Sequence, residues 1–185
     1  MSPDQFYQSL GELGSGDQVP PVEKWNPELS GDMDLIIQAN GDWLHDGSLI
    51  QRRALVRVFS KILKREADNY FLVTPQEKWR IQVQDAPFLV NQLQHEHKNN
   101  EPVITLLTTT DNIITVNTDH PLWIEHDQEL NPKPYVIVRD NLHALINRSV
   151  YMELAELAEE IKSTEKTVWK LRSCGSHFLL GEENH

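Results

Sequence analysis

An Asn-Gly pair between two apolar triplets leaves a polypeptide few choices. Here Asn40-Gly41 separates Leu35-Ile36-Ile37 from Trp43-Leu44-His45. Asn-Gly accepts the positive φ that a tight turn needs, so the segment reads as a β-hairpin. Asp46-Gly47 ends the return strand. Ser48 then stands three residues before Gln51, the spacing of a capping box. Leu55, Phe59, Ile62 and Leu63 follow at helical spacing and predict a helix over about 49–66. Two further strands, 70–73 and 79–83, flank the turn Thr74-Pro75-Gln76-Glu77.

The same order of elements returns near the end of the chain. Residues 135–138 read as a strand, Asp140-Asn141 as a turn and 143–146 as the return. A helix then carries Val150, Leu154, Leu157, Ala158 and Ile161 on one face. Strands at 167–171 and 177–180 flank Cys174-Gly175-Ser176. The expectation is an α+β fold in which a hairpin–helix–hairpin plan is written twice, over 34–84 and 135–180, with mostly antiparallel sheets. Both copies bring Ile-x-Arg to the helix start: Ile50-Gln51-Arg52 and Ile146-Asn147-Arg148.

Outside the copies the pattern is weaker. Residues 1–30, with Gly11, Gly14, Gly16, Pro20, Pro21 and Pro27, read as an extended arm. Phe6, Tyr7 and Leu10 suit a short helical turn, Gly14-Ser15-Gly16 a linker, and Trp25 a packing anchor. Residues 88–94 suit a short helix or strand, and 95–100 a polar loop. Residues 103–107 and 113–116 form a hairpin about Thr110-Asp111-Asn112. Residues 122–124 add a strand, and Asn131-Pro132-Lys133-Pro134 reads as a loop. The domains expected are the arm 1–30, an N-terminal α+β domain 31–94 and a C-terminal α+β domain 101–181.

Acidic residues outnumber basic ones, 28 to 17, giving a formal charge of −11. Phosphate backbones and anionic bilayers select basic surfaces, so neither nucleic acid nor a membrane is the expected partner. One cysteine, Cys174, allows no disulfide within the chain and suits a reducing compartment. No basic n-region or apolar stretch of signal-peptide type opens the sequence, and no apolar run reaches 18 residues. The expected location is the cytoplasm.

A helix start carries partial positive charge and unpaired N–H groups, so arginine there costs about 0.3–1 kcal/mol. An anion held between guanidinium and N–H groups reverses that cost. A salt bridge to Asp46 or Asp140 does the same. Arg52 and Arg148 are therefore candidate anion ligands, joined by Arg139 if it shares a face with Arg148. Trp43, His45 and Tyr151 lie close in sequence and could stack on a planar base or hydrogen-bond it, although core packing suits Trp43 as well. His95-Glu96-His97 places two imidazoles on one side only if the segment is a strand, and Lys98-Asn99-Asn100 favours a solvated loop. No metal site is assigned. No nucleophile elbow, Walker loop or zinc-ligand spacing is present, and no cofactor is expected.

Several runs together resemble the bacterial domain of unknown function family 1285. They are Gly31-Asp32-Met33-Asp34-Leu35-Ile36-Ile37, then Gly41-Asp42-Trp43-Leu44-His45-Asp46-Gly47, then residues 50–60 and 70–78. In the second half they are Asp119-His120-Pro121-Leu122, residues 134–139 and residues 147–154. The resemblance covers about 20–181. It implies a duplicated core, a C-terminal part like a pleckstrin-homology fold, and a site between the two parts for a nucleotide-like ligand. It also implies a role in signal transduction. The expected function is a non-enzymatic ligand-binding or regulatory protein. The alternatives are a protein-interaction module and an unrecognised hydrolase built on His45, His120 or Cys174.

Overall fold

A computed structural model describes residues 19–185. The expectations for Phe6, Tyr7, Leu10 and Gly14-Ser15-Gly16 lie outside the described residues. The chain divides into two units, Met1–Pro87 and Phe88–His185. Among the described residues each is mostly β with one short α-helix, so the expected α+β class is corrected toward β.

The first unit opens with a 3-10 turn at Val22–Lys24. Val22 packs with Phe71 and Val73, and Trp25 lies against this cluster, as an anchor should. Six strands follow: β1 (Leu29–Ile37), β2 (Trp43–His45), β3 (Ser48–Leu49), then, after helix α1 (Arg53–Lys61), β4 (Leu63–Glu66), β5 (Asn69–Val73) and β6 (Lys78–Val83). They form one sheet in the order β3-β2-β1-β6-β5-β4. Neighbours are antiparallel except the central pair β1 and β6, which run in parallel. Alternate residues of β1, Met33, Leu35 and Ile37, are buried, the period-two signature of a strand with one face on a core. Because β1 already includes Leu29 and Ser30, the expected arm ends two residues early.

The predicted capping box does not form. Ser48 and Leu49 pair with His45 and Leu44 as β3. The Ile50 N–H donates to the Trp43 carbonyl at 2.8 Å, holding the chain extended up to Arg52. Helix α1 therefore starts at Arg53, and Arg52 is its N-cap without a side-chain hydrogen bond. It stops at Lys61 because residues 63–66 are taken up by pairing with β5. The Asn40-Gly41 turn is a three-residue loop, closed by Gln38 N–H to the Asp42 carbonyl and Gly41 N–H to the Gln38 carbonyl. Only Gly41 takes positive φ, at 85°.

The second unit carries β7 (Phe88–Lys98), β8 (Glu101–Thr108), β9 (Ile113–Thr115), β10 (Leu122–His126), β11 (Pro132–Arg139), β12 (Leu142–Ile146), α2 (Arg148–Glu156), β13 (Glu159–Lys162), β14 (Lys166–Ser173) and β15 (Ser176–Asn184). Its six-stranded sheet has the order β10-β11-β12-β7-β8-β9, with β12 and β7 parallel at the centre. A second sheet has the order β13-β14-β15.

Four sequence expectations fail here. Residues 95–98 belong to β7 and residues 101–102 to β8, with Asn99 and Asn100 as the positive-φ turn between them. The expected domain boundary at 94–101 therefore cuts a hairpin, and the division falls at Pro87. Pro132 and Pro134 lie in β11, opposite His126 and Ile124, instead of in a loop. In α2 the buried residues are Val150 and Leu154, while Ile161 has passed into β13 and is 43 % exposed.

The two six-stranded sheets share one plan: a central strand leads outward through a three-stranded meander, and a second meander returns inward to the parallel partner. The repeated frame is thus β1–β6 against β7–β12, not 34–84 against 135–180. The helix sits between third and fourth strands in the first unit and after the sixth in the second, which misled the reading by element order. No helix among the described residues is long and apolar enough to cross a membrane.

Ser173, fully buried, ties the two sheets of the second unit. Its hydroxyl donates to the Val116 carbonyl at 2.6 Å and accepts from the Ile104 N–H at 3.1 Å. Ser173→Ala strands both backbone groups and should cost about 1–3 kcal/mol. Faster hydrogen exchange at Ile104 would register it, and unchanged exchange there would refute the assignment.

Candidate functional site

The six candidate residues fall three in each unit. In the first, Trp43 is 2 % exposed and stacks on Phe59, ring centres 6.2 Å apart. It has no face left for a ligand and serves the core, which corrects its candidacy as a stacking platform. His45 is half-buried, with Nδ1 3.5 Å from Asp46 Oδ2. Arg52 is exposed at the head of α1.

In the second unit, Asn147 caps α2: its side-chain oxygen accepts from the Val150 N–H at 2.9 Å and from the Ser149 hydroxyl at 3.0 Å. Arg148 is the first helical residue and is exposed. The helix starts align Arg148 with Arg53, so the two Ile-x-Arg steps are out of phase by one residue. Tyr151 donates its hydroxyl to the Leu180 carbonyl at 3.1 Å, and burial raises its pKa.

Arg139 owes its position to a β-bulge. Ile137 pairs with His143, but Arg139 pairs with Leu142, so β11 spends one extra residue against β12. Strict alternation would place Arg139 on the face of Tyr135 and Ile137. The extra residue turns it to the opposite face, that of Val136, Ala144 and Phe88. There its guanidinium lies 5.2 Å from the centre of the Phe88 ring. Burial lowers its pKa to about 10, and Asp140 acts in the other direction. A guanidinium desolvated to this degree gains from a π face and from any anionic neighbour.

The backbones of Arg139 and Arg148 lie at opposite ends of β12. Arg139 stands beside Leu142, at the start of β12, and Arg148 lies beyond Ile146, at its end. Four strand steps, about 13 Å, separate those ends. An extended ligand could touch both.

The sequence did not point to a cluster of rings on the other face. Trp123 and Tyr135 stack at 5.5 Å, and the His143 ring is 5.3 Å from Tyr135 and 5.9 Å from Trp123. The hairpin 135–146 is legible in the sequence, but the pairing of β10 with β11, which sets Trp123 opposite Tyr135, is not. Of the residues named for a hydrolase, His45 is in the first unit; in the second, the His120 ring bonds the Ile137 carbonyl at 3.0 Å and Cys174 is exposed on the β14–β15 turn. Among the described residues no group of three or more His, Cys, Asp or Glu side chains could hold a metal ion.

Comparison with known proteins agrees with this architecture. The chain is similar to a DUF1285 family protein from Silicibacter pomeroyi DSS-3, at 36 % identity and TM-score 0.82, over 92 % of this chain and 93 % of that one. It is also similar to a DUF1285 family protein from Shewanella baltica OS155, at 24 % identity and TM-score 0.53, over 67 % of this chain and 91 % of that one, a likeness of fold. No curated protein matches. The family model for the N-terminal domain of DUF1285, a domain of unknown function, matches residues 20–86, and the model for its C-terminal domain matches 87–180. The two matches meet where the structure divides, and the chain belongs to the DUF1285 family.

Proposed function

We propose that this protein is a non-enzymatic ligand-binding or regulatory protein whose second unit takes a small anionic, nucleotide-like ligand. One observation supports the reading above the others: the desolvated Arg139 guanidinium over the Phe88 ring. A guanidinium on an aromatic face in a water-poor setting attracts an anionic group more strongly than one in open solvent, and its planar fork matches phosphate. Arg148 and Tyr151, one helical turn apart on α2, would meet the far end of an extended ligand, and Arg52 is a separate candidate in the first unit. We carry the pleckstrin-homology-like comparison as part of this proposal. The second unit supplies the antiparallel strands and single helix of such a fold, with α2 placed before the last three strands. The single, free Cys174 suits a reducing compartment, and a cytoplasmic location belongs to the same reading.

Thermal-shift measurements with nucleotides, pyrophosphate and phosphorylated metabolites test it. A ligand present at 100 times its dissociation constant should stabilise the protein by about 2.7 kcal/mol. Arg139→Gln with Arg148→Ala should abolish that shift. A shift retained in the double variant would remove the second unit from consideration. If no anion shifts the transition, the interaction-module reading gains, since β13 is an outer strand with all four residues exposed.

A further inference from the structure

We propose that His95 and His97 form a two-imidazole binding site for a divalent transition-metal ion of the copper, nickel or zinc class. Their pairing depends on residues 95–97 being a strand, and they are the distal part of β7. Side chains two apart on a strand point to one face. His95 lies opposite Ile104 and His97 opposite Pro102 on β8. The two ring centres are 5.1 Å apart, with the planes at 57°.

That spacing fits a shared ion. A metal bonded to an imidazole nitrogen at about 2.0–2.1 Å sits about 3.2 Å from the ring centre, so two imidazoles on a tetrahedral ion have centres about 5.2 Å apart. Both histidines are exposed, because β7 outruns the core: Val90 is fully buried, Leu93 is half-buried, and the residues beyond it lie in solvent.

The neighbours suit a cation. Glu96 and Lys98 alternate onto the other face, where they pair at 2.7 Å, so the ammonium group is engaged away from the imidazoles. The net charge of −11 favours accumulation of cations over anions near the surface. No third His, Cys, Asp or Glu completes a ligand set among the described residues. Water fills the remaining positions, and the site is open and exchangeable, unlike a closed structural zinc site. Imidazole ligation favours copper(II) over nickel(II) in affinity.

Calorimetric titration of the untagged full chain with nickel(II) and with zinc(II), alongside NMR of the histidine ring resonances, tests the proposal. One ion should bind and perturb the His95 and His97 rings first. His95→Ala and His97→Ala should each weaken binding by about tenfold or more, with no change in melting temperature, since both side chains are exposed. In the His97→Ala background, Glu96→His should restore nothing, because it puts the new ring on the opposite face. The chain has eight histidines. Binding unchanged in the double alanine variant would assign the ion to others and overturn the proposal, as would recovery by Glu96→His or the absence of binding.

Discussion

Trp43→Ala should cost the first unit about 3–5 kcal/mol, the scale for removing a large buried aromatic side chain. Trp43 is enclosed against Phe59, itself fully buried, and the Trp43 carbonyl also receives the Ile50 N–H that sets the approach to α1. The variant keeps that backbone bond and loses the ring, so the loss measures packing. Trp43→Phe retains a ring on Phe59 and should recover most of it. Two-unit chains need not unfold in one step, so the proper readout is hydrogen exchange at the paired amides of β1 and β2. A Trp43→Ala protein within about 1 kcal/mol of the parent at those amides would show that the ring does not hold this core.

A loss of similar size is expected at the other unit's first residue. Phe88 is 2 % exposed, pairs with Ala144 on β12, and lies beneath the Arg139 guanidinium. Phe88→Ala should cost about 3–5 kcal/mol, from the cavity and the lost contact with the cation together. Phe88→Leu separates the two contributions. It keeps most of the volume and removes the π face, so its loss should be about 0.5–2 kcal/mol, the range of a partly desolvated cation–π contact. A Phe88→Leu protein as stable as the parent would show that the π face contributes nothing beside Arg139. Hydrogen exchange along β12 would report both variants.

Much of the fold could be read from local signals. The turns at Asn40-Gly41, Asp140-Asn141 and Cys174-Gly175 were legible because Asn, Asp and Gly tolerate positive φ. The strand 79–83 was legible because its apolar residues alternate. Segment 95–100 was not: Gln94 through Lys98 is polar on both faces, and a strand held by backbone pairing to β8 leaves no apolar pattern. Losing that strand hid the second six-stranded sheet and moved the repeat to the wrong frame. The helices came out long because Leu63 and Ile161 continue the helical spacing, while strand pairing captured both residues. At the site, sequence reasoning chose Arg139 but could not see how it is oriented. A one-residue bulge decides which face a side chain takes, and no residue type between Ile137 and Leu142 announces it. Trp43 was chosen for its neighbours in sequence, and burial overrode them.

Each six-stranded sheet closes by joining its first strand to its last, β1 to β6 and β7 to β12, with nearly the whole sheet's sequence lying between. Closing so long a loop must be accomplished before the central ladder contributes anything, so contact order is high at the centre of the sheet and low in the outer meanders. During synthesis, β1 waits with an open hydrogen-bonding edge until residues 78–83 have emerged. A chain truncated after β5 would keep that edge beside the apolar row Met33, Leu35 and Ile37, a template for pairing with other chains.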